Sequence, residues 1–394
     1  MISVDEALAH CLALVAPLPT EAVPLAQACG RYMPQPATAT RDQPPFAASA
    51  MDGYAVQGDP APGDRFTVVG EAGAGHAWHG TLGPLQTARI FTGAPLPAGA
   101  TRVLLQEDVT RDGDIITLSS GADTATHIRP AGQDFRAGDS LSPRLLRPND
   151  LALLAAMNIP RVAVTRRPVV ALIATGDELV MPGEVPGPDQ IIASNSFTLK
   201  ALAETAGAEV RLLPIARDTA ESLRFVLDLA ADADVIVTTG GASVGDHDLV
   251  AQVAQAMGLQ RAFWKIAMRP GKPLMAGRLG SAALLGLPGN PVSSIVCAHL
   301  FLVPMIRALL GQPAEALAPR PRTALLTEDL PANGPRAHYM RATLTPTEGL
   351  PQITPFARQD SSLLSILSQA DSLLIRPVQD GPRAQGSLVP YLPL

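Results

Sequence analysis

From Pro168 onward, apolar runs without polar alternation are separated by stretches of helical spacing. This pattern predicts a parallel sheet with helices on both faces. Val235, Ile236 and Val237 form one such run and lead into TTGGASVGDHD over 238–248. VVALIATGDEL predicts a second buried strand, and a third is expected over 210–215. Helices are expected over 197–205, opened by Ser194-Asn195-Ser196, over 219–229, capped near Asp218, and over 249–257. Strands joined this way send their carboxyl ends to one rim, where open α/β sheets bind ligands.

The rest of the chain reads differently. SVDEALAHCLALV predicts an amphipathic amino-terminal helix, with Ser3 and Glu6 as a capping box. From Asp64 to Asp139 short β-branched runs alternate with glycine-rich turns, which predicts an antiparallel module. A helix over 149–157, capped by Asn149, is expected to pack back on the first helix, so that the module interrupts a discontinuous domain. LLGLPGNPVSS predicts a turn into a helix with Asn290 as cap and Pro291 at its first position, leaving N–H groups aimed at the rim. The uncharged stretch over 291–306 reads as a core helix shorter than a membrane span. QPAEALAPRPR reads as a linker, and the short strands and prolines beyond it predict a β barrel or sandwich. The expected class is multidomain α/β, with a discontinuous elongated helical part (1–45 with 140–166), an inserted β module (46–139), an α/β domain (167–311) and a C-terminal β domain (319–394).

Composition narrows the partners. The 394 residues exceed what one core supports, and a net charge of −6 gives no basic footprint for nucleic acid or an anionic membrane. Cys11, Cys29 and Cys297 have no CxxC spacing, so a reducing cytosol without disulfides or zinc is expected. Asp5 and Glu6 follow Met1 closely, and no secretory signal is expected.

Two stretches carry candidate chemistry. Gly240, Gly241 and Gly245 allow a loop whose backbone N–H groups approach an anion, with Asp246 and Asp248 just beyond. Acids beside such a loop make chemical sense around a divalent cation. Of the 30 basic residues only Lys200, Lys265 and Lys272 are lysine, and two of them stand in KIAMRPGK. A compact ammonium there suits phosphate.

The ordered set SAMDGYAV, IFTGAPLP, ATGDEL, TTGGASVGDHD, KIAMRPGKP and GLPGNPVSS resembles the molybdopterin molybdenumtransferase family, the MoeA proteins and the corresponding domain of gephyrin. The likeness spans almost the whole chain. It implies a cytoplasmic homodimer that inserts molybdate into adenylylated molybdopterin and releases AMP with Mg²⁺ assistance. Further partners it implies are the molybdopterin adenylyltransferase and recipient apoenzymes. A molybdopterin adenylyltransferase needs only the α/β domain, and a gephyrin-like scaffold needs no acids at the strand ends. Carried over by position, the resemblance implies Asp52 and Thr92 on the molybdate and substrate side, and Glu178, Asp218 and Asp248 as acids of the Mg²⁺ and nucleotide site. It assigns Lys265, Arg269 and Lys272 to the anionic substrate, with Arg341 and Ser361 from the C-terminal domain. Ser194, Asn195, Gly240, Gly241, Ser243, Gly245, Pro288 and Asn290 complete the implied substrate-binding set. The chain departs from the family at Ala47-Ala48, where an acid is common, and at Arg269, where lysine is also found.

Overall fold

The structure is a computed structural model and describes residues 1–240 and 249–394. It comprises two units, one of Met1–Glu21 with Thr165–Leu394, the other of Ala22–Val164.

In the first unit a six-stranded sheet has the order Glu209–Leu212, Val169–Ala174, Val235–Thr239, Ala282–Leu287, Met275–Leu279, Gln260–Trp264. The first four strands are parallel, and their central members are almost entirely buried. Register sets Ala174 beside Thr239, and Thr239 beside Leu287. Thr175, Gly240 and Pro288 therefore leave the sheet abreast. The expectation of a wholly parallel sheet fails at one edge, where Met275–Leu279 runs antiparallel to both neighbours. Only Gly280 and Ser281 separate it from Ala282–Leu287, with Gly280 at φ +59°, and so short a link can join only antiparallel strands.

Leu223, Val226 and Leu227 of Ala220–Leu229 pack under the sheet with Val250, Val253 and Ala254 of Leu249–Ala256. The cap of Ala220–Leu229 is Thr219 rather than Asp218, and its side chain accepts from the Ser222 N–H. Helical backbone runs from Pro291 to Leu309, longer than the expected core segment and apolar enough to cross a membrane, yet 83% of it is buried within the protein. It is a core helix.

The amino-terminal helix, Val4–Ala13, forms the Ser3–Glu6 capping box. It falls in the first unit, whereas its expected partner, the helix near Asn149, falls in the second. Its buried Ala7 and Cys11 pack against Val303–Leu309 and Gln260–Trp264, and Ala267 N–H donates to the Ile2 carbonyl at 2.8 Å. A closed five-stranded barrel completes this unit: Ala337–Thr345, Gln352–Pro355, Arg322–Leu326, Leu388–Pro393 and Ser372–Arg376, which returns to the first. Met268–Arg269 adds to it in parallel beside Ala337 and His338.

In the second unit Pro148–Ala156 packs on its own core with Met33, Leu146 and Val164. The cap is Arg147, not Asn149, with Pro148 at the first helical position and Asp150 accepting the Arg147 N–H. The chain leaves and re-enters this core through short antiparallel pairs, Tyr32–Met33 with Arg144–Leu145 and Ala37–Thr38 with Ser140–Leu141. Strand pairing, with one helix, thus holds the part expected to be helical. The inserted module is a six-stranded sheet ordered Arg102–Leu105, Gly53–Val56, Gln86–Ile90, Arg65–Ala72, Ile115–Leu118, Val109–Asp112.

Candidate active site

The strand ends of the first unit open into a cavity of about 640 Å³. Thr175, Glu178, Ser194, Asn195, Gly240, Pro288, Asn290 and Ser362 are among its walls. Gly240 sits at φ +94°, and a Cβ there would stand 2.5 Å from the Thr175 carbonyl oxygen, so only glycine lets the two strand exits lie so close. Gly176 is constrained by its backbone, at φ +142°, and its missing Cβ leaves the space that the Glu178 carboxylate occupies. That glycine lets the carboxylate fold back over its own turn.

Arg217, which the sequence marks only by its place after a strand, clamps this turn. Its Nη1 donates to the carbonyls of Asp177 and Leu179 at 3.1 Å each. The next residue, Asp218, is exposed and donates its N–H to Asp177 Oδ1 at 3.2 Å. Asp218 is therefore tied to the Glu178 turn, although its own side chain does not line the cavity.

Across the cavity, Asn195 Nδ2 donates to the Gly289 carbonyl at 2.8 Å, which pins the helix Asn195–Thr205 to the GLPGN turn. Asn195 Oδ1 is buried without a hydrogen-bond partner among the described residues. Asn290 occupies the cap position of Pro291–Cys297, as expected, but its side chain makes no cap bond. Instead Asn290 Nδ2 donates to Ser361 Oγ at 3.1 Å, and Val292 N–H donates to the Ser361 carbonyl at 3.1 Å. The helix N–H groups expected to face the rim are thus partly consumed by the barrel loop, and Ser362 reaches the cavity wall from that loop.

Arg341, expected to touch substrate, is 1% exposed. Its guanidinium donates to the carbonyls of Leu363 and Arg358 and to Gln359 Oε1, at 3.2–3.4 Å. Its donors hold the loop that presents Ser361 and Ser362. Three of its five N–H donors are used in this way, so the structure gives Arg341 a bracing role behind the site.

The KIAMRPGK loop closes on itself: Lys265 N–H donates to the Leu274 carbonyl at 3.0 Å, and Ile266 N–H to the Lys272 carbonyl at 3.2 Å. Lys265 takes φ +70°, and its Nζ lies 3.7 Å from the centre of the Trp264 ring. Arg269 is exposed, and its Nη2 donates to His338 Nδ1 at 2.7 Å. Pro273 lines the cavity, whereas Lys265, Arg269 and Lys272 stand outside its walls.

In the second unit Asp52 and Thr92, 40 residues apart, meet directly. Asp52 Oδ1 accepts from the Thr92 N–H at 2.8 Å and from Thr92 Oγ1 at 2.7 Å. The backbone bond first and the hydroxyl bond second hold the Asp52 carboxyl below its usual range, with Arg89 adding to them.

Gly241, Ser243, Gly245 and Asp248 lie outside the described residues. Among the described residues no three His, Cys, Asp or Glu side chains converge as a metal site. Glu178 and Asp218 are the described members of the expected acid set. Glu178 has no hydrogen-bond or ion-pair partner among the described residues, and Mg²⁺ takes few carboxylates, completing its octahedron with water and phosphate oxygens, so this carboxylate at the cavity wall fits such an ion.

The chain matches three family models in order: "MoeA N-terminal region (domain I and II)" over 2–158, "Probable molybdopterin binding domain" over 171–308 and "MoeA C-terminal region (domain IV)" over 323–394. Among curated proteins it is 35% identical to a molybdopterin molybdenumtransferase of Nostoc sp., with 95% of this chain and 89% of that protein covered. It is 33% identical to the molybdopterin molybdenumtransferase of Bacillus subtilis, over 95% of this chain and 90% of that protein. A solved molybdopterin biosynthesis MoeA structure from Pyrococcus horikoshii superposes with a TM-score of 0.85 at 29% identity, covering 100% of this chain and 99% of that one. With its cavity at the strand ends, three matched regions in order and relatives aligned over nearly their full length, the chain belongs to the molybdopterin molybdenumtransferase family, transferases of molybdenum cofactor biosynthesis.

Proposed function

We propose that the protein inserts molybdate into adenylylated molybdopterin and releases AMP, in the cytoplasm, as a Mg²⁺-assisted homodimer. The observation that carries the reading is the strand-end cavity, walled by the Glu178 carboxylate and by Asn195 Oδ1, both without a partner among the described residues. An acceptor buried without a partner is costly, and sites that bind polar ligands keep such groups. Bound Mg²⁺ would neutralise phosphate charge, with Glu178, Asp218 and Asp248 as its protein ligands. The chain's own groups then do the positioning. Asn195 and Ser194 present polar atoms to the substrate, and Gly240 lets it approach the backbone. Arg217 keeps the Glu178 turn in place, and Lys265, Arg269 and Lys272 supply positive charge for phosphate or molybdate oxygens. The three free thiols suit a reducing compartment.

Asp52 and Thr92 belong to the same reaction in this reading, and a two-fold dimer would supply them to the rim from the partner subunit. Mixing Asp52→Ala with Asp248→Ala protein under subunit exchange, with AMP release followed in the presence of molybdate, Mg²⁺ and adenylylated molybdopterin, tests this. Each variant alone is expected to be inactive. The mixture regains activity because each mixed dimer holds one intact cleft. A stable mixed dimer without activity would sink the two-chain site.

A further inference from the structure

Arg269 lies on the short strand Met268–Arg269, which joins the barrel in parallel with Ala337–Thr345. That register sets Arg269 directly beside His338, and the guanidinium donates to His338 Nδ1 at 2.7 Å. A guanidinium can only donate, so Nδ1 accepts and the imidazole is neutral in this bond. His338 is 4% exposed. Burial, then the charges of Arg269, Arg376, Arg341 and Arg336, push it down to about 3. Arg336 also lies close enough to disfavour the charge on Arg269, after burial. Neither arginine has a carboxylate partner among the described residues.

The choice of acceptor has a consequence for charge. A carboxylate at position 338 would accept the same bond but cancel the positive charge of Arg269. A neutral imidazole orients the fork and leaves its charge whole. Among the described residues one donor is used, and four of the five remain for a ligand. Lysine, with its rotatable point charge, has no fork to orient.

We propose that His338 is a positioning residue that fixes the Arg269 guanidinium, at full charge, as the receptor for a tetrahedral oxyanion of the substrates. The inference rests on the reading of Arg269 as a substrate-binding cation. The oxyanion is either free molybdate or the phosphate of the adenylylated pterin, two sources of one chemistry.

Steady-state AMP release, with molybdate and adenylylated molybdopterin varied separately, tests it. His338→Leu raises KM for the oxyanion that Arg269 holds by about tenfold and leaves kcat nearly unchanged, as loss of one orienting bond to a charged group predicts. A rise confined to molybdate names molybdate as the ligand, and a rise confined to the pterin names its phosphate. His338→Asn, a neutral acceptor, restores most of the affinity, whereas His338→Asp keeps an acceptor and stays weak. In an Arg269→Lys background His338→Leu has no further effect.

Arg269→Ala with both KM values unchanged overturns the reading of Arg269 itself. If Arg269→Ala raises a KM and folded His338→Leu does not, or if His338→Leu acts equally in the lysine background, the positioning role alone is overturned. Should His338→Leu fail to fold, the Asn and Asp variants decide. Equal KM values for those two would end the proposal.

Discussion

The inserted β module and the rim of the α/β sheet each present a carboxylate that the sequence marks as functional, and they treat it in opposite ways. Asp52 is claimed twice by Thr92, at 2.8 Å and 2.7 Å on the same oxygen. Glu178 has no hydrogen-bond or ion-pair partner among the described residues and is folded over Gly176 at the edge of a cavity that also holds the orphaned Oδ1 of Asn195. On the strand and helix that border the cavity, Thr238 Oγ1 and Ser294 Oγ are likewise buried without a partner among the described residues. A claimed carboxylate maintains its own turn, and an open one is free to take a ligand. Each unmade bond costs about 1–3 kcal/mol. The rim therefore gives up stability at these groups, as expected of a surface shaped to receive polar groups, although the β module too leaves Arg102 Nε unpartnered among the described residues.

The largest effect separates these roles. Glu178→Gln is expected to lower AMP release by about 100-fold or more, because an electrostatic contact to the reacting groups is lost. The midpoint for Mg²⁺ should rise with it. Thermal stability should not fall, since Glu178 has no partner among the described residues to lose. A Glu178→Gln protein with parental rate and parental Mg²⁺ requirement would make this acid an ordinary exposed residue and erase the contrast.

Arg341→Met probes how the rim's far wall is held. Removing the buried guanidinium strands the Arg358 carbonyl, at about 1–3 kcal/mol for an acceptor left unsatisfied, while Gln359 Oε1 keeps the Arg341 N–H and the Leu363 carbonyl keeps the Leu367 N–H. Urea unfolding should register the loss. Weaker substrate binding should accompany it, because Ser361 and Ser362 lose their brace. An Arg341→Met protein of unchanged stability but poor binding would restore Arg341 as a direct ligand.

That residue also shows where the sequence stops being legible. Apolar runs without alternation marked Val169–Ala174 and Val235–Thr239 as buried strands, and the rim follows from parallel connection alone. The antiparallel edge was less visible, because it turns on one two-residue hairpin at Gly280. In Ala337–Thr345 the alternation is lost, since His338, Tyr339, Arg341 and Ala342 are all buried, and no period signals that the barrel closes over an arginine. Resemblance placed Arg341 near the site, and only side-chain geometry shows three of its five donors bound to the loop behind it. Arg217 escaped for a similar reason, as its three bonds go to backbone carbonyls of a turn 38–41 residues earlier. His338 carried no local signal at all, because its partner Arg269 is 69 residues away.

The smallest effect tests the claimed carboxylate. Thr92→Val keeps the backbone N–H and the branched shape but removes the hydroxyl bond to Asp52. The backbone bond is the first cause of the depressed Asp52 pKa and the hydroxyl the second, so the carboxyl should move only part of the way back towards its usual range. The sign of the stability effect follows from linkage. A carboxyl whose folded pKa lies below its unfolded value, near 3.9, adds stability that is fully present above that value and fades as pH falls through the folded pKa. Thr92→Val should narrow that window from its acid side, because the folded pKa moves up towards the unfolded one. NMR titration of the Asp52 carboxyl carbon reads this directly. A titration identical to that of the parent would mean that the hydroxyl contributes nothing and that the backbone bond and Arg89 alone hold the charge. The β module would then owe its finished carboxylate to the Thr92 turn and not to the threonine side chain, and the contrast with Glu178 would rest on backbone geometry.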